Sequence, residues 1–110
     1  MKRLFSLGLT FLFLPFFVES ATAQKPGPEE QQYLISVLPL IESGRLTEAE
    51  EKLGAGMQLY PRSAILQNAL GIVYQKQNRT EAAAAAFRQA LELLPSFTAA
   101  QLHLALIYQQ

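Results

Sequence analysis

The side chains able to do acid–base or metal chemistry are few, and their spacing does not suit it. His103 is the one histidine, set between Leu102 and Leu104, and the chain has no Cys and no Asp. A metal centre needs three or four converging donors, so His103 reads as an ordinary helix residue. Glu48, Glu50 and Glu51 form the one acidic cluster. They fall in the first turns of a helix, where unsatisfied N–H groups favour negative charge. That accounts for them without a paired-carboxylate catalytic site. No Ser-His-Asp set, cysteine nucleophile or glycine-rich phosphate loop is present. The sequence therefore points to no enzyme, no metal, no cofactor and no small-molecule substrate. Nine basic and nine acidic residues balance to a net charge of zero. The basic ones are scattered without interleaved aromatics, which argues against nucleic acid as a partner. Asn78-Arg79-Thr80 is a formal glycosylation sequon, relevant only in a eukaryotic host.

The N-terminus reads as an export signal over residues 1–23. Met1-Lys2-Arg3 supplies a positive start, and Leu4 to Val18 is an uncharged apolar run. Ala21-Thr22-Ala23 gives the small-x-small pattern that a signal peptidase accepts, with cleavage between Ala23 and Gln24. A membrane span needs about 20 apolar residues, and this run is shorter and interrupted by Gly8 and Pro15. The alternative is an uncleaved anchor, and the membrane would be a partner only in that way. Either reading places the rest of the chain outside the cytoplasm, in a bacterial periplasm or secreted. Residues 24–28 form a polar linker, with Pro28 suited to a helix's first turn. The remainder is one small domain, able to bury about 60–65% of its unfolded surface. Exported domains of that size often use disulfides; this one has no cysteine and must hold by packing.

The elements that would position any site follow a repeat. Laid against itself at an offset of 34 residues, the chain matches Arg45 with Arg79, Ala49 with Ala83 and Leu53 with Phe87. The same offset pairs Gly56 with Ala90, Pro61 with Pro95, Leu70 with Leu104, Gly71 with Ala105 and Tyr74 with Tyr108. One fixed period is the mark of a repeat architecture. Helix punctuation keeps the same period. Residues 29–43 form a helix closed by Gly44, and Thr47 to Glu50 read as a capping box opening a second helix that Pro61 ends. Ser63 caps a third helix running to about Gln77, a fourth runs from about Thr80 to Leu94, and Ser96 caps a fifth that reaches the end. Each is near or below the roughly 12–15 residues at which an isolated helix is marginal, so packing must supply the stability. Pro39 predicts a kink or break in the first helix, and Gly54 and Gly56 weaken the second.

The run Leu70, Gly71, Tyr74, Ala83, Phe87, Ala90, Pro95 resembles the tetratricopeptide repeat pattern L-G-x2-Y…A-x3-F-x2-A…P, with Gln67 where the initial Trp would stand. The resemblance implies an all-α fold over residues 29–110, a right-handed solenoid of antiparallel helix pairs. Repeat one is 30–63, degenerate with Val37 and Leu40 in place of Gly and Tyr; repeat two is 64–97; a half repeat covers 98–110. It also implies that Ala83, Phe87, Ala90 and Leu94 form a packed seam where helices cross, with Ala86 beside it. Ala84 and Ala85 are expected to turn outward with Arg88, Gln89 and Glu92.

Function in such a fold is expected in the groove lined by the first helix of each pair. Carried over position by position, the groove is Leu34, Leu38 and Ile41, with Gln31 and Glu42, then Ile65, Asn68, Ile72, Gln75 and Lys76. From the half repeat it takes Leu102 and Leu106, with Ala99, Gln109 and Gln110. The family's basic carboxylate clamp is not supplied, and the surface is mostly aliphatic. That suits an apolar helix or an extended hydrophobic segment of a protein or peptide partner. Two alternatives stay open: that Leu34, Leu38 and Ile41 are core, or that another copy of the chain covers them in a homo-oligomer. Leu102, Leu104, Leu106 and Ile107 leave apolar groups on more than one side of the last helix, as for docking on another subunit or a piece of a longer array.

Overall fold

The computed structural model describes residues 25–110, and all regular structure in them is α-helix. Five helices follow in order: α1 Pro28–Glu42, α2 Leu46–Leu59, α3 Ala64–Lys76, α4 Thr80–Leu93 and α5 Thr98–Tyr108. The expected export signal, with its cleavage point between Ala23 and Gln24, lies outside the described residues.

Turns repeat with the sequence period. Gly44 and Asn78 are the two residues with positive φ, at 81° and 63°. Each sits just past a helix end, where a left-handed residue lets the next N–H groups reach back to orphan carbonyls. Arg45 N–H donates to Leu40 O at 2.8 Å and Gly44 N–H to Ile41 O at 3.2 Å; Arg79 N–H donates to Tyr74 O at 2.8 Å and Asn78 N–H to Gln75 O at 2.9 Å. Connections this short turn each chain segment back on the last, so α1 with α2, and α3 with α4, pack as antiparallel hairpins. The broadest contact is between α3 and α4, and α3 also receives α1 and α2.

Side-chain size sets how closely these helices approach. Ala83, Phe87 and Ala90 on α4 are fully buried, as the i, i+4, i+7 spacing requires. Gly71 on α3 makes room for the Phe87 ring: a Cβ on Gly71 would stand 2.5 Å from it. Gly56 on α2 similarly admits the Tyr33 ring, whose hydroxyl donates to Lys52 O at 2.6 Å. Val37, Ile41, Ala49, Leu53, Leu66, Ala69 and Val73 form one core among α1, α2 and α3. Ala83, Ala84, Phe87 and Ile107 form a second between α4 and α5.

Several local expectations are corrected. Ala84 does not turn outward; it is 6% exposed and packs with Ile107. No capping box forms at Thr47, because α2 begins at Leu46 with Arg45 at its cap and no side-chain cap bond. Arg45 instead forks onto Glu48, its Nε 2.6 Å from Oε1. Ser96 does not cap α5, whose cap position is Phe97. Ser63 does cap α3, accepting from Leu66 N–H at 3.3 Å. Helix α1 runs through Pro39 without a break. Pro39 and Ile35 both lie on the exposed side, so the backbone group that proline leaves unpaired meets water. Helices α3, α4 and α5 each stop one or two residues earlier than expected.

Candidate interaction surface

Helices α1 and α3 pack side by side, and α5 joins them through a polar contact, His103 Nδ1 lying 3.4 Å from Asn68 Oδ1. The His103 imidazole also stacks on Phe87, with centroids 4.9 Å apart and planes 22° from parallel. Helices α2 and α4 lie behind this row. The row α1, α3, α5 is thus one face of the molecule, and the residues expected in the groove fall on its helices except Gln109 and Gln110, which follow the end of α5.

They do not all reach solvent. Ile41 is 7% exposed and belongs to the first core, and Leu34 is half-buried against it. For these two, the core reading is the one that the structure adopts. Asn68 is buried beneath His103. Ile72 is half-buried against both cores, and Ile65 and Gln75 are half-buried. The accessible members are Leu38, Lys76, Leu102 and Leu106, with Gln31, Glu42, Ala99, Gln109 and Gln110 around them. Leu102 and Leu106, one turn apart, are 58% and 47% exposed and lie side by side on α5. What remains is a row of aliphatic groups at two ends of the face, joined by a polar middle.

Sequence reasoning missed three features. Ile35, Leu59 and Tyr108 are exposed apolar side chains outside the expected groove. The second is the Asn68–His103–Phe87 stack: the sequence assigns Asn68 to the groove and Phe87 to the seam but gives His103 no role. Its signal lay in the repeat register, since His103 falls one repeat after Ala69, a residue that faces the preceding core. The third is a charged cluster behind the face. Glu50 Oε1 accepts from Gln77 Nε2 and Arg79 Nη1, both at 3.2 Å, and the Arg79 guanidinium sits 4.4 Å above the Tyr74 ring. It ties the turn before α4 to α2. Among the described residues no three His or Glu side chains converge as metal donors, and no helix is long and apolar enough to cross a membrane.

Against protein-family models, residues 64–97 match the family described as Tetratricopeptide repeat. The match spans α3, its turn, α4 and the turn leading to α5. Comparison with curated proteins gives no match.

Proposed function

We propose, for a chain that carries a tetratricopeptide repeat, that it is an exported, non-catalytic adaptor holding a protein or peptide segment on the face formed by α1, α3 and α5. A tetratricopeptide repeat suggests a role in protein–protein interaction. The observation that carries the finer reading is the exposure of Leu38, Leu102 and Leu106 along that face. Aliphatic groups left to water at helical spacing favour an apolar strip of a partner, an amphipathic helix or a hydrophobic extended segment. Export rests on the sequence alone, on the basic start, the apolar run and Ala21-Thr22-Ala23. Protein recovered from the cell envelope is expected to begin at Gln24; recovery with Met1 intact from the cytosol would remove export from the reading.

Affinity capture with the full chain as bait tests the groove. Leu38→Asp combined with Leu102→Asp should abolish retention of the captured protein while circular dichroism stays unchanged, because both side chains are already exposed. Ile72 is unsuitable for this purpose, since Asp there would damage two cores. Retention that survives the double substitution would take the groove out of the proposal. A second reading, self-association, is favoured by α5, the described helix with no Asp, Glu, Lys or Arg. Sedimentation of the chain over a range of concentrations separates the two.

A further inference from the structure

We infer that Asn68, held by His103, is a main-chain hydrogen-bond donor on the groove floor, and that it restricts the occupant to an extended apolar segment of a partner protein. The inference rests on the groove reading and separates the two kinds of occupant, helix and extended segment, that aliphatic groups alone admit. Asn68 shares a stripe of α3 with Ile65, Ile72 and Gln75. That stripe lies one residue round the helix from Leu66, Ala69 and Val73, which enter the first core. Helix α1 packs on one side of α3, and α5 reaches it on the other through His103. Leu34 on α1 and Leu102 on α5 hold the repeat position of Asn68, so the amide sits between aliphatic neighbours.

Asn68 is 9% exposed, and Ser63 is the other buried polar side chain among the described residues. Ser63 is accounted for by its cap on α3; Asn68 serves no cap or turn. His103 Nδ1 stands 3.4 Å from Asn68 Oδ1. An amide oxygen can only accept, so the imidazole is the donor. The Phe87 ring, stacked on the imidazole at 4.9 Å between centroids, fixes the plane of that donor. The contact uses the oxygen of Asn68 and leaves its NH2 group pointing elsewhere. Among the described residues Nδ2 has no hydrogen-bond partner, yet no side-chain polar atom is both sealed from solvent and unpaired. The NH2 group therefore opens onto the surface between the helices. A donor there selects what covers it. The main-chain carbonyls of a helix are engaged in its own bonds, so the apolar side of a docked helix would bury the NH2 without an acceptor, which is destabilising. An extended segment has free carbonyls pointing sideways and side chains above and below. It can rest aliphatic groups on Leu38 and Ile72, one turn along from Asn68, while one carbonyl accepts from Nδ2.

The test selects ligands for the full chain from two random peptide libraries, one linear and one constrained as helices. Linear ligands should prevail, and a synthetic copy of one should bind about tenfold more weakly to Asn68→Ala, the order of one lost hydrogen bond. Replacing the amides of that ligand by esters, one at a time, weakens each carbonyl in turn. One position should lose affinity for the native chain, and that loss should vanish in Asn68→Ala, which ties the carbonyl to the amide. His103→Phe keeps the stack but removes the donor and should lower affinity; His103→Gln, which retains a donor, should restore it. If circular dichroism shows Asn68→Ala unfolded, Asn68→Asp takes its place, with the same shape and no donor. Four results overturn the proposal: ligands from the helical library alone, linear ligands indifferent to Asn68, an ester loss that persists without it, or no saturable ligand. Leu38→Asp keeps the two readings apart. A ligand lost with Leu38→Asp but indifferent to Asn68 leaves the groove standing without this donor, and one that survives Leu38→Asp removes the groove and the donor together.

Discussion

Ala83 and Gly54 are both small residues in helix interiors, yet the structure gives them opposite tolerance. Ala83 is fully buried in the core that Phe87 fills, so Ala83→Leu inserts carbon where no space remains and should cost about 1–3 kcal/mol. Gly54 is exposed, and a Cβ there meets nothing within 4 Å. Gly54→Ala should stabilise by about 0.5–1 kcal/mol, because alanine gives up less backbone entropy in a helix. Urea midpoints check both: a fall for Ala83→Leu and a rise for Gly54→Ala, with the same sign at both sites counting against the packing described. The Ala83, Phe87, Ala90 seam was legible because it keeps helical period. Ala84 was not, since its burial depends on where α5 brings Ile107, and period along one helix does not carry the placement of the next.

Helix ends show the same limit one level up. All five helices were legible from the 34-residue period with Gly44, Asn78 and the two prolines as punctuation, but their caps were legible only in part. Ser63 is 1% exposed and bonds the Leu66 N–H, so its loss leaves a buried donor unpaired. Ser63→Ala should lower stability by about 1 kcal/mol. Ser96 has the same residue type near the same repeat position, but its side chain caps nothing and it is exposed. Ser96→Ala should change stability by less than about 0.5 kcal/mol. Thermal or urea unfolding of the two variants side by side checks the contrast; equal losses would mean that Ser96 caps α5 in solution. Composition could not separate these serines because a capping residue type acts only where the backbone at the helix entry has the right geometry, φ −86° and ψ 107° at Ser63.

At the scale of the molecule, the positions expected to line a groove were legible as sides of helices and not as a set of contacts. Repeat register places a residue on one helix side, but whether Ile41 or Asn68 reaches water is decided by the neighbouring helix lying over it. The same nearest-neighbour logic governs how the fold opens. In a stacked array each element is stabilised mainly by those beside it, and here α3 touches α1, α2 and α4 while α5 rests chiefly on α4. Repeat one also carries Pro39, Gly54 and Gly56, each a local weakening. Amide exchange should therefore be slowest along α3 and α4 and faster at both α1 and α5, since sub-global opening starts where fewest buried contacts must break. Protection highest in α1, or uniform from α1 to α5, would contradict a fold held from its middle pair outward.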